Sequence, residues 1–268
     1  MERQLRKRIY IFTFIIIFCG WFGKFIDTIL VNQPKGQSLG SLIWLVTPFI
    51  AALLFAKLKK SKWRTVGLKP YLKGNVRWYA LSLLLYPICM VLLLGIGSVF
   101  KLVDFSHFVL KEFTLSFGVW FLSNFFRTIL EETAWRGFLV ERLIKLHTND
   151  FLIYIITALI WSTWHVPYYL FFYPNGNAGY LIISGYIIMF CWSILFTEIY
   201  RITRCIWPCV LLHATANAVQ YTIMEDHFRI NASWNILISP ANGIIACAIC
   251  VVIGFLIRNY RINHMKAF

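Results

Sequence analysis

The feature that most constrains this chain is the recurrence of apolar runs long enough to cross a lipid bilayer. A helix rises about 1.5 Å per residue, so a hydrocarbon core about 30 Å thick takes roughly 17–25 predominantly apolar residues. Runs punctuated by Gly, Pro and charge lie near residues 9 to 31, 39 to 56, 78 to 100 and 115 to 140, then near 151 to 172, 179 to 200, 205 to 224 and 239 to 257. The expected fold class is therefore all-α: a polytopic transmembrane helical bundle of about eight spans, one transmembrane domain over residues 1–268. The first run follows Arg3, Arg6, Lys7 and Arg8 as in a signal peptide, but no small-residue cleavage site closes it, and it reads as an uncleaved span.

Composition agrees. The chain is 59% hydrophobic and 14% charged, where soluble domains hold about 45–50% apolar and about 25% charged residues. The net charge of +15 invites a nucleic-acid partner, but Lys and Arg sit at the ends of apolar runs rather than along one helical face, which suits membrane lipids instead. The seven cysteines fall in or beside apolar helices and read as small buried hydrophobes, not as a disulfide framework. Trp21, Trp44, Trp63, Trp78, Trp120 and Trp207 lie near expected helix ends, where interfacial aromatic belts form.

Basic residues also orient the map, because cytoplasmic connectors carry an excess of them. Of the 26, 19 fall on one side, in the amino terminus, the connector from Lys57 to Arg77, the pairs Arg142 with Lys145 and Arg201 with Arg204, and the tail. The other side holds Lys35, Lys101, Lys111 and Arg229. Both termini are expected to be cytoplasmic.

An ionisable group inside a span costs roughly 2.5 to 3.5 kcal/mol on insertion scales and so demands a partner or a function. Such groups cluster here: Glu131, Glu132 and Arg136 in the fourth span, His165 in the fifth, and His213 in the seventh with Asn217 one turn on. Counted at about 1.5 Å per residue from the cytoplasmic ends, His165 lies roughly 21 Å deep, His213 about 12 Å and Asn217 about 18 Å, with Glu132 at similar depth. Glu132 and Arg136 share a face and are expected to form an ion pair. Glu131, about 100° away around the helix, is then left to face a cavity. A carboxylate there suits a general base acting on water. The two imidazoles can share its proton, and the Asn217 amide can donate to a developing oxyanion. The set Glu131, His165 and His213 would also make an acceptable zinc site with an open position for water. The residues alone decide between neither.

EETAWRGFL, from Glu131 to Leu139, resembles the EExxxR motif of the membrane proteases related to CAAX prenyl endopeptidases and bacteriocin-processing enzymes, the CPBP or Abi family. WSTWH, ending at His165, resembles its FxxxH motif, with Trp161 in place of Phe, and HATAN, from His213 to Asn217, resembles its HxxxN motif. The resemblance covers a core of about residues 116–221. It implies an intramembrane endopeptidase in which Glu131 activates water, Glu132 and Arg136 support it, His165 assists, and His213 and Asn217 stabilise the oxyanion. Family members are often called metalloproteases. Trp161 stays aromatic and is expected to shape the cavity wall.

The implied substrate is a hydrophobic, lipidated or membrane-inserted peptide or protein, and the short connectors favour a bacterial plasma membrane. Two rival readings share the polar cluster. One is a non-catalytic scaffold, regulator or immunity protein of the same fold. The other is a small transporter relaying protons or ions, which the absence of an internal repeat or a paired set of broken helices disfavours.

Overall fold

The computed structural model describes residues 2–30, 32–34, 36–57, 66–173, 176–225 and 227–264. Lys35, Lys59, Lys60, Lys62, Arg64, Lys266 and Trp63, used above for orientation or for the aromatic belt, lie outside them.

The helices are α1 (Glu2–Ile29), α2 (Leu39–Lys57), α3 (Val76–Val99), α4 (Leu110–Glu132), α5 (Glu141–Lys145), α6 (Asp150–Pro167), α7 (Ala178–Thr203), α8 (Trp207–Met224), α9 (Ala232–Ile238) and α10 (Ile244–His264). Two π-helical stretches, Thr133–Val140 after α4 and Tyr168–Phe172 after α6, widen the turn. Strands β1 (Val103–Asp104) and β2 (Arg229–Ile230) pair antiparallel. Among the described residues seven helical segments are long and apolar enough to span a membrane: the segments over α1, α2, α3, α7 and α10, Leu110–Lys145 and Asp150–Phe172. The protein is an integral membrane protein.

The seventh apolar run forms α8, yet α8 is not among the seven segments. His213, Asn217, Gln220 and its threonines lower its hydropathy, and 11 of its 18 residues are buried. A helix covered by protein rather than lipid can carry that polarity.

The chain divides into two compact units, residues 1–69 with 130–193, and residues 70–129 with 194–268. In the first unit α1 packs along α2 and against α6. A Cβ on Gly23 would lie 2.3 Å from Gly40 O, so only glycine permits the α1–α2 approach. Asp27 Oδ1 accepts the Gly40 N–H at 2.8 Å and so caps the start of α2 from the neighbouring helix. In the second unit α3 packs on α8, and Thr215 donates to Ser82 O at 3.3 Å. The buried Glu198 accepts from Arg261 through Nε at 2.7 Å and Nη2 at 3.2 Å, which joins α7 to α10. All seven cysteines are buried and none is in a disulfide, in agreement with the sequence reading.

Candidate active site

The first unit gathers Glu131, Glu132, Arg136 and His165. Glu132 and Arg136 are both fully buried, with Arg136 Nη1 3.0 Å from Glu132 Oε1, so the expected ion pair forms. It does so where α4 opens into π-helical geometry: the Glu141 N–H reaches back five residues to Arg136 O. All eight residues from Thr133 to Val140 are buried, so this stretch is enclosed all round. Wider turns of this kind are frequent at functional sites. Gly137 permits a close backbone approach, because a Cβ there would sit 2.4 Å from Val66 O.

Glu131 does not face an open cavity. It is 2% exposed, and its Oε2 accepts the indole N–H of Trp161 at 3.3 Å. Trp161 also lies beneath the Arg136 guanidinium, whose carbon is 4.4 Å from the ring centroid. The aromatic residue read as a wall is therefore a hydrogen-bond donor to one motif residue and a cation–π partner of another.

His165, one turn along α6, places Nδ1 3.0 Å from Trp161 O. A carbonyl can only accept, so Nδ1 carries a proton. Aromatic rings fix the imidazole: Tyr169 stacks on it at 5.7 Å, and Trp164 and Trp44 meet it edge-on at 4.6 and 5.8 Å. Pro167 lacks the N–H that would continue α6, and the chain passes into a wide turn in which the Tyr173 N–H bonds Tyr168 O at 2.8 Å.

Trp44 departs from the sequence reading. It is a core residue, stacked on Trp164 at 4.1 Å and on Tyr168 at 4.4 Å, and its N–H bonds Trp164 O at 2.8 Å. Trp78 is likewise buried, while Trp21 is exposed as a belt residue should be. Proximity to a helix end cannot distinguish a lipid-facing from a core-facing indole.

His213 and Asn217 belong to the second unit. His213 is buried with its ring edge-on to Phe196 at 5.8 Å. Asn217 Nδ2 donates to Asn124 Oδ1 at 3.2 Å, and Asn124 Nδ2 in turn donates to Trp120 O at 2.8 Å. Asn124 thus sets the orientation of the Asn217 amide, a role the sequence reading missed. The signal in the sequence was an amide inside an apolar run, which falls outside the three motifs.

Among the described residues no three His, Cys, Asp or Glu side chains are grouped closely enough to hold a metal ion.

With this geometry in place, comparison with known families is informative. The model of the type II CAAX prenyl endopeptidase Rce1-like family matches residues 113–219, consistent with the membrane-protease family that the three motifs resemble. The match supports a CAAX-type membrane protease in general, over about the stretch that carries the motifs. No curated protein matches the chain.

Proposed function

We propose that the protein is an intramembrane endopeptidase that hydrolyses a peptide bond in a hydrophobic, lipidated or membrane-associated peptide, with Glu131 as general base. One observation carries the reading: a buried carboxylate, Glu131, held by the Trp161 N–H one helical turn before a histidine of fixed tautomer. In the proposed step Glu131 takes a proton from water as the water oxygen bonds to the scissile carbonyl carbon. The carbon–nitrogen bond then breaks as the proton that Glu131 took from water passes to the departing nitrogen, directly or relayed through the His165 imidazole, giving an acid and an amine and returning Glu131 to its carboxylate. The motif HATAN assigns the transient oxyanion to His213 and Asn217, whose amide Asn124 orients.

A polar demand beside Glu131 supports a hydrated site. Trp135, four residues beyond Glu131 on the same helical run, is fully buried, and its indole N–H has no acceptor among the described residues. Its ring lies 6.0 Å from Trp161 and 5.4 Å from Trp164. A buried donor so placed suits water or a substrate carbonyl.

The test is cleavage of a panel of hydrophobic and prenylated peptides by purified protein in detergent, comparing the parent with Glu131→Ala, each with and without a chelator. Product from the parent and not from the variant is expected. Cells in which Glu131→Ala keeps the parent phenotype, together with no product from any peptide, would replace the protease by a scaffold or regulator of the same fold. Chelator sensitivity would bring a metal into the mechanism.

A further inference from the structure

We infer that Trp161 is the positioning residue of Glu131, an inference that rests on the proposed hydrolysis. One side chain and its own carbonyl touch three of the residues assigned to the chemistry. The indole N–H donates to Glu131 Oε2 at 3.3 Å, the ring face takes the Arg136 guanidinium at 4.4 Å, and the main-chain oxygen accepts from His165 Nδ1 at 3.0 Å. The ring cannot easily move: it is fully buried, with Trp135 and Trp192 each 6.0 Å away.

These contacts act in one direction. Glu132 binds Arg136 at 3.0 Å, and the same guanidinium lies over the indole. A cation over the ring draws electron density from it and makes the N–H a stronger donor. That donor meets one carboxylate oxygen of Glu131 and selects one side-chain orientation among those a buried glutamate could adopt. His165 is tied through the same residue, so Trp161 on α6 links the base on α4 to the imidazole one turn further along α6. The adjacent glutamates thus do different work. Glu132 anchors the arginine, the arginine steadies the indole, and the indole sets the carboxylate that meets water.

A merely structural Trp161 would need its ring but not its N–H, and this separates the two roles. Trp161→Phe keeps an aromatic ring and deletes the donor. Benzothienylalanine at 161, installed by codon suppression, keeps the bicyclic shape and deletes it too, and serves where the Phe variant fails to fold. Full-length protein in detergent is assayed on the peptide that the parent cuts fastest, with Glu131→Gln alongside. The expected result is kcat lowered about 10- to 100-fold, the scale on which misplacement of a reacting group acts, with KM within about two-fold of the parent. Equal turnover by parent and donor-less variants, with Glu131→Gln inert, overturns the positioning role and leaves the proposed protease standing. A second readout needs no substrate. In protein labelled with 15N at its indoles, the Trp161 N–H resonance is identified by its loss in a donor-less variant and is expected to move upfield when Glu131→Gln weakens the acceptor. A resonance unmoved by Glu131→Gln overturns the inference even if no peptide is ever cut.

Discussion

Glu132 and Arg136 are each fully buried, so neither can be removed alone without leaving a charge in an apolar interior. Breaking such a pair from one side costs about 3–5 kcal/mol. Arg136→Met and Glu132→Gln are therefore each expected to lower yield and thermal midpoint sharply, while the double variant loses less than the sum of the two. A thermal-shift cycle in detergent over the four proteins checks this, and additive losses would show that the pair is not coupled. Glu131 differs in kind. Its replacement by Gln keeps shape and removes a buried charge, so turnover is expected to fall by about 10²- to 10⁴-fold, the range a general base contributes, with no loss of thermal midpoint. Both glutamates were legible in the sequence because a charge in a span calls for an explanation. Trp161 was not, because an indole in an aromatic-rich helix looks like packing until the direction of its N–H is known.

At the scale of elements, two joints are open to test. The α1–α2 crossing depends on Gly23 and Gly40, whose backbones approach so closely that a Cβ on either would lie 2.3 Å or less from the other's carbonyl oxygen. Gly23→Leu is expected to force the helices apart and to destabilise the protein by more than Asp27→Ala. The latter removes only the cap on Gly40 N and is expected to cost about 1 kcal/mol. Comparison of the two midpoints ranks packing against capping. The second joint ties the start of α4 to the end of α8. Glu225, just past α8, accepts from the Ser116 hydroxyl, from Trp120 Nε1 at 2.7 Å and from His227 Nε2 at 3.1 Å. The Ser116 bond above all, then the Trp120 and His227 bonds, hold its carboxyl below the ordinary glutamate value. A depressed carboxylate pKa stabilises the fold above its unfolded value, and that contribution disappears as pH falls through the folded value. The midpoint in detergent is therefore expected to drop on acidification below the usual glutamate range, and Glu225→Gln to flatten that drop.

For the whole molecule, orientation turns on α8. The seven apolar segments recognised by length and hydropathy leave the termini on opposite sides, whereas counting α8 as a crossing returns both to the cytoplasm. The asymmetry of Lys and Arg favours the latter. A fluorescent protein fused to the carboxyl terminus is expected to fluoresce, and alkaline phosphatase fused there to stay inactive. The reverse pattern would mean that α8 does not cross.

The sequence by itself determined the solvent of this protein and its elements, since apolar runs of bilayer length leave the backbone no polar partner but its own helix. It also determined which groups needed explanation, because a charge or imidazole within such a run is costly wherever it faces. Only the tertiary structure decided what each side chain meets. It turned Trp44 and Trp78 inward, gave Glu131 a donor rather than an open cavity, opened the chain after α4 and α6 into wide turns, and placed Asn124 beside Asn217. The physical reason is directional. Hydropathy and spacing fix how deep a residue lies and which stripe of its own helix it occupies. Hydrogen bonds, stacked rings and guanidinium contacts depend on angles between side chains of different helices, and those angles exist only once the helices pack.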